Sequence, residues 1–296
     1  MRAARVLAQA KVNLFLRILG REAAGYHALE TLFQRLELGD DVTVRVDVRG
    51  RALDCNGADV GPAEENLAWR AALAYADAAG WPEGFAVEVK KRIPAGGGLG
   101  GGSADAGAVL RGLEALAPRP LGESRLLDLA LRLGADVPFL TTEAARALAW
   151  GRGERMLALP PLPAREICLL LPDVPVSTGD AFRWLAEGRG AGWTAPPRVI
   201  AAERLATWEG VAELAENDFE PVVRAHVPAL APWLPAAGAE AAAIHRLSGS
   251  GSTVFWLGVE RGAAPPAAWP AAGGTGRVRV ARTRTAERVV PVERIE

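Results

Sequence analysis

Residues 92–107 read RIPAGGGLGGGSADAG, and six of the seven positions from Gly96 to Gly102 are glycine. Each glycine costs a regular element about 0.5–1 kcal/mol relative to alanine, so the run needs a reason. Upstream, FAVEVKKRI (85–93) alternates as a strand does. Downstream, Ser103 is expected to open a helix in which Val109, Leu110, Leu113 and Leu116 share a face, with Pro118 past its end. A strand, a glycine run and a helix start together make an anion site. The helix start offers unpaired N–H groups and partial positive charge. Glycines let the backbone approach an oxyanion without Cβ atoms in the way, and successive N–H groups can cradle phosphates.

Three phosphate loops compete for this stretch. A Walker loop ends in Gly-Lys-Ser/Thr. Here the end is Gly102-Ser103-Ala104, without lysine, so that loop is rejected. Gly96-x-Gly98-x-x-Gly101 fits the dinucleotide fingerprint, but a run this rich fits almost any glycine pattern, and it follows about ninety residues of other structure where the fingerprint belongs near a first strand. A phosphate loop of a different lineage is the third reading.

Outward from the run, VNLFLRIL (12–19) reads as a strand, and DDVTVRVDV (40–48) alternates with Val42, Val44, Val46 and Val48 on one face. ENLAWRAALAYADAAG (65–80) has helical spacing and ends on Gly80; Ser124–Leu133 is a further helix with Gly134 placed to stop it. LPPLPA (159–164) reads as a connector, and ICLLLP (167–172) as a buried strand beginning a second domain, which gives an expected division into residues 1–160 and 161–296. Residues 187–197 and 262–276 read as loops. IHRLSGSGSTVFWLGV (244–259) reads as strand, tight glycine turn, strand, and RVRVARTR (277–284) as an edge strand with a wet arginine face. No internal repeat is visible.

With 296 residues, half of them hydrophobic, the chain can bury a large core. The formal net charge of −1 argues against partners held by bulk electrostatics, nucleic acid or anionic lipid. The expected partner is a small-molecule substrate, with no nucleic acid and no membrane, in a monomer or homodimer. Cys55 and Cys168 match no metal spacing and read as small buried hydrophobes, which fits a reducing cytoplasm. The first apolar stretch is broken by Lys11, Asn13 and Arg17, so it does not read as a signal peptide, and nothing approaches the roughly twenty apolar residues of a bilayer span.

Several residues stand out against bland alternatives. Lys11 lies inside an otherwise apolar strand, which is costly unless the ammonium is paired. Asp136 follows a helix stop and precedes Pro138, where an aspartate can simply organise a turn. Ser103 can cap a helix or face a phosphate. Asn66, after Glu64-Glu65, reads as an N-cap. Tyr26 and His27 are adjacent, so in an extended segment they face opposite ways. Phe182 alone reads as a core aromatic, and His226 and His245 as structural.

Five blocks in order run from Ala10 to Ser252. They are Ala10-Lys11-Val12-Asn13-Leu14; Gly25-Tyr26-His27 with Thr31-Leu32-Phe33; Pro94-Ala95-Gly96-Gly97-Gly98-Leu99-Gly100-Gly101-Gly102-Ser103; Leu133-Gly134-Ala135-Asp136-Val137-Pro138-Phe139; and Leu247-Ser248-Gly249-Ser250-Gly251-Ser252. Together they resemble the GHMP kinases, the family of galactokinase, homoserine kinase and mevalonate kinase. The resemblance is strongest to the branch acting on a cytidine-diphosphate-linked methylerythritol. Gln9 stands where the family usually has proline, and Gly107 where it has alanine.

The resemblance implies an α/β fold of two domains, an N-terminal ATP-binding domain and a ferredoxin-like C-terminal domain, with the active site between them. It implies phosphoryl transfer from ATP, with Mg²⁺, to the 2-hydroxyl of 4-(cytidine 5′-diphospho)-2-C-methyl-D-erythritol. Lys11 and Asp136 become the catalytic pair, Asp136 taking the hydroxyl proton and Lys11 supporting it. Residues Pro94 to Ala104, with Asn66 and Lys91, become the ATP site, and Ser103 a contact to the metal. Asn13, Tyr26, His27, Thr178 and Phe182 become the substrate site, Phe182 by stacking on the base. Rival readings are another GHMP small-molecule kinase, which has no need of Gly25-Tyr26-His27 with Phe182, and a non-catalytic sensor, which has no need of Lys11 and Asp136 together.

Overall fold

The structure is a computed structural model that describes residues 2–21, 27–56, 61–235, 243–260, 262–263 and 278–295. In chain order the strands are β1 (Ala3–Arg21), β2 (His27–Val46), β3 (Arg51–Asp54), β4 (Phe85–Lys90), β5 (Arg146–Gly151), β6 (Arg155–Ala158), β7 (Glu166–Pro172), β8 (Ala243–Leu247), β9 (Val254–Gly258), β10 (Val278–Arg284) and β11 (Glu293–Ile295). The helices are α1 (Leu67–Ala79), α2 (Gly101–Leu116), α3 (Glu123–Leu133), α4 (Val137–Thr141), α5 (Thr178–Arg189), α6 (Trp208–Leu214) and α7 (Glu220–His226).

Two long strands organise the first sheet. β1 and β2 pair antiparallel over almost their whole length, with irregularities between Gln9 and Lys11, Asn13 and Phe15, and Ile18 and Gly20. β2 then forks: Leu29–Gln34 pairs with β5, and Asp41–Val46 pairs with β4. Both strands exceed the sequence expectation, because the alanine-rich start of β1 has little strand preference of its own and is held by its neighbours. Val42, Val44 and Val46 are fully buried, as the alternation requires. They meet α2, whose small residues permit close packing; the Cβ that Gly112 lacks would lie 3.3 Å from Val44.

The second sheet is antiparallel in the order β10-β7-β9-β8, with β10 at the edge as expected. Along β7, Ile167, Leu169 and Leu171 join the main core shared with the first sheet, while Leu170 faces a smaller cluster with Phe219, Leu247 and Trp233. This is the period-two alternation of a strand buried on both faces. This strand order is the one expected of a ferredoxin-like sheet, and α5 and α7, the latter with its N-cap Phe219, supply Ala181, Leu185, Phe219 and Val223 to the smaller cluster. Both cysteines are free and buried.

Several expectations are corrected. α2 begins at Gly101, so Ser103 lies in its first turn rather than opening it. α5 runs to Arg189, into the expected loop. Gly134 does end α3, in extended rather than left-handed backbone. The two sheets are not two consecutive stretches of chain, because β11 returns to pair with Ala3–Arg5. Gln9 secures that return: its Nε2 donates to the carbonyls of Leu36 and Arg288, and its Oε1 accepts from Val290 N at 3.1 Å. Most of 262–276 lies outside the described residues. Among the described residues no helix is long and apolar enough to cross a membrane.

Candidate active site

The glycine run leaves β4, crosses beside β1 and enters α2. Gly96, Gly98 and Gly100 hold φ of +70°, +73° and +72°, backbone that only glycine adopts freely. The main chain of Lys11 is tied to the run, its N–H donating to Leu99 O at 3.0 Å. Gly100 is the N-cap of α2, and the first helical bond runs from Ala104 N to Gly100 O at 2.7 Å. The amides of Gly101, Gly102 and Ser103 therefore have no partner within the helix, the arrangement that suits a phosphate.

Lys11 reaches this helix start from β1. Its side chain is almost fully buried, and its Nζ lies 3.2 Å from Asp136 Oδ2. It donates to Asn13 Oδ1 at 2.8 Å, and Asn13 Nδ2 donates to Thr31 Oγ1 at 2.8 Å. The cost of burying a lysine is thus met by a carboxylate and an amide. Asp136 is the N-cap residue of α4 but makes no side-chain capping bond, and it remains about a third exposed. Its carboxylate does not serve the turn; it faces Lys11 and solvent.

α4 is held in place from two sides. A Cβ on Gly107 would lie 2.5 Å from Leu140 O, so glycine lets α2 touch the α4 backbone. Arg35, fully buried on β2, donates to the carbonyls of Phe139, Thr142 and Ala144 at 2.8–3.0 Å. Phe139 in turn stacks on Phe33, with centroids 4.8 Å apart. Arg35 was not visible as a site-supporting residue, because its acceptors are main-chain oxygens more than a hundred positions away.

The second glycine turn closes on the first. Ser248 Oγ donates to Gly98 O at 2.9 Å, and Thr253 N donates to Gly97 O at 3.2 Å. The missing Cβ of Gly249 would lie 3.6 Å from Asn13 Oδ1 and 3.7 Å from Lys11 Nζ. One face of the site is therefore bare backbone from both loops.

Asn66 and Lys91 flank the other side of the run. Asn66 caps α1, its Oδ1 accepting from Ala68 N at 2.9 Å. Lys91 Nζ is held between Asp40 at 2.6 Å and Asp105 at 2.7 Å. Asp40 also accepts from the main-chain N–H groups of Arg92 and Ile93, tying down the strand exit. Burial and the neighbouring Asp40 push Asp105 up to about 7, against the pull of Lys91.

His27 and Phe182 form a separate aromatic platform. Their rings stack with centroids 4.6 Å apart, and Phe219 meets Phe182 edge-on at 4.9 Å. Burial lowers the His27 pKa, and Arg21 adds to this. The platform lines a cavity of about 580 Å³ with Ile18, Gly179 and Trp193. Thr178 shares a 2.8 Å hydrogen bond with Ser250, linking the α5 start to the second glycine turn. Tyr26 lies outside the described residues.

Residues 66–143, which include the first glycine run and Asp136, match the family described as GHMP kinases N terminal domain. A 4-diphosphocytidyl-2-C-methyl-D-erythritol kinase of Geobacter sp. (strain M21) is 38% identical over 272 residues, covering 90% of this chain and 94% of the relative. The chain belongs to that branch of the GHMP kinases.

A solved 4-(cytidine 5'-diphospho)-2C-methyl-D-erythritol kinase superposes on this GHMP kinase with a TM-score of 0.70 at 33% identity, covering 95% of this chain and 98% of that one. A homoserine kinase from Cytophaga hutchinsonii shares the fold, with a TM-score of 0.62 at 17% identity and coverage of 99% and 97%. The structure also brings in a residue that sequence reasoning missed. Asn217, buried, donates through Nδ2 to Leu247 O at 2.7 Å and Gly249 O at 2.8 Å, at the foot of the second glycine turn. The only local signal was an Asn-Asp pair shortly before a helix with proline in its first turn.

Proposed function

We propose that this protein transfers the γ-phosphate of ATP to the 2-hydroxyl of 4-(cytidine 5′-diphospho)-2-C-methyl-D-erythritol, a step in the non-mevalonate route to isoprenoid precursors. The observation that carries this reading is the Lys11–Asp136 contact of 3.2 Å beside the unpaired amides at the start of α2. A proton acceptor, a cation and a phosphate cradle are the parts phosphoryl transfer needs.

In this reading the 94–104 backbone holds the phosphates, with the nucleoside of ATP on the Asn66 and Lys91 side. The fit rests on the cradle itself, where glycines at positive φ leave the amides open. Asp136 accepts the proton of the 2-hydroxyl as its oxygen bonds to the γ-phosphorus and the bond to the β,γ-bridging oxygen breaks. Lys11 stabilises charge on the transferring group and holds Asp136 in place. Asn13 orients the hydroxyl end of the substrate. Ser103 is assigned to the Mg²⁺ that accompanies ATP; when bound, that ion neutralises phosphate charge. Phe182, His27 and Thr178 hold the cytidine end at the aromatic platform, and the family resemblance assigns Tyr26 to the same ligand.

The test is ADP release with ATP and Mg²⁺, offering the cytidylated substrate beside mevalonate, homoserine and galactose. Turnover of the cytidylated compound alone supports the reading. A folded protein that ignores it while phosphorylating another of the four overturns the substrate assignment.

A further inference from the structure

One short run of chain touches both halves of the site. Asn217 Nδ2 bonds the carbonyls on either side of Ser248, and its Oδ1 accepts from Phe219 N at 2.9 Å. Asp218 Oδ2 accepts from Ile18 N at 2.6 Å and pairs with Arg189 at 2.9 Å, while its own N–H donates to Leu16 O. Phe219 props Phe182 edge-on beneath the His27 stack. Glu220 Oε1 accepts from Leu247 N at 2.9 Å. Four consecutive side chains thus reach the second glycine turn, the far half of β1, α5 and the aromatic platform.

Turn-making explains only part of this. An asparagine that organises a helix start needs its Oδ1 alone. The Nδ2 of Asn217 goes instead to two carbonyls about thirty positions later, one of them that of Gly249. Gly249 is the residue whose bare Cα faces Lys11 Nζ, Asn13 Oδ1 and Gly98 O. A shift of this turn is felt at the phosphate cradle and at the catalytic pair.

We propose that Asn217–Glu220 is a positioning brace, in which Asn217 sets the second glycine turn against Lys11 and Gly98, and Phe219 sets the Phe182 platform. The proposal rests on the functional reading above for the identity of the second substrate. It makes a divided prediction. Asn217 governs ATP affinity and turnover, whereas Phe219 governs affinity for the cytidylated substrate.

The experiment uses the full chain. ATP binding is titrated calorimetrically, and steady-state kinetics are run with the cytidylated substrate. Asn217→Asp keeps the acceptor for Phe219 N but turns both donor bonds into oxygen facing oxygen. It is expected to weaken ATP binding and lower kcat by about tenfold or more each, with KM for the cytidylated substrate within about twofold. Asn217→Ser, which keeps one donor, is expected to recover part of both, and it carries the comparison where the aspartate variant does not fold. Phe219→Leu is expected to raise KM for the cytidylated substrate about fivefold or more, with ATP affinity and kcat within about twofold.

A merely structural role lowers melting temperature while leaving these constants unchanged per folded molecule. A folded Asn217 variant with wild-type ATP affinity and kcat overturns the brace, and so does a Phe219→Leu effect that falls on ATP instead. If the wild-type protein does not turn over the cytidylated compound, the functional reading fails. The ATP titration, which needs no second substrate, still decides the role of Asn217.

Discussion

The Cβ that Gly98 lacks would stand 2.1 Å from the carbonyl oxygen of Ser248, and Gly98 holds a φ of +73°. Two glycine segments 150 positions apart therefore touch backbone to backbone. Gly98→Ala meets a clash and an unfavourable conformation together, the latter alone worth about 1–2 kcal/mol. The loops must separate, and ATP affinity is expected to fall about tenfold or more with a lowered melting temperature. Calorimetric titration with ATP checks this; wild-type affinity in the variant means the contact is not needed for the cradle.

Asp136 faces Lys11 and makes no capping bond, so its replacement leaves the turn intact. Asp136→Asn is expected to fold normally and lose about 10²–10⁴ in kcat, with KM for ATP within about threefold. Lys11→Met is expected to lose at least as much, because it also strips Asn13 of its donor. Single-turnover rates on both variants check the assignment. An Asp136→Asn enzyme retaining most of its turnover means that the carboxylate orients substrate rather than taking its proton.

Much of this site was legible in the sequence because its parts are local. A glycine run between an alternating strand and a helix sets bare backbone beside unpaired helix-start amides, the arrangement that suits a phosphate. A lysine in an apolar strand announces a missing partner, although nothing local said that the partner was Asp136, more than a hundred positions away. What escaped was long-range. The extent of β1 and β2 depended on pairing that overrode an alanine-rich sequence. The reach of Asn217 to Leu247 and Gly249, and of Gln9 to Val290, depended on main-chain groups that any residue type supplies. Asn66 shows the reverse case. Its capping role was the bland reading of the sequence, and the structure places its Oδ1 on Ala68 N.

Glu220 gives a pH signature. Burial pushes its carboxyl up to about 7, against the lowering effects of the Leu247 N–H, Arg246 and Arg224. The unfolded carboxyl releases its proton near pH 4.5, its ordinary value. Between these values the folded chain holds a proton that the unfolded chain has given up. The resulting stabilisation is fully present below the lower value and is lost as pH rises through the upper one. Glu220→Gln keeps an oxygen for Leu247 N without the ionisation. Relative to wild type it is expected to gain stability steadily from about pH 5 to about pH 7.5, by as much as about 3 kcal/mol. Denaturant unfolding across that range checks the sign; a difference that is flat with pH sinks the prediction.

Phe182 stacks face to face with His27 and is braced edge-on by Phe219. A ring held on two sides is preorganised, so a nucleobase that takes the place of one stacking partner finds the other already fixed. Base–aromatic stacking is worth about 1–3 kcal/mol, so Phe182→Ala is expected to raise KM for the cytidylated substrate between about fivefold and a hundredfold. The change lies away from Lys11 and the first glycine run, so KM for ATP is expected to stay within about twofold. Phe182→Tyr, which keeps the face of the ring, is expected to restore most of the affinity. Steady-state titration of each substrate separates the outcomes. A loss shared equally between ATP and the cytidylated substrate assigns Phe182 to the core of the second sheet, whereas a loss confined to the latter assigns it to the base.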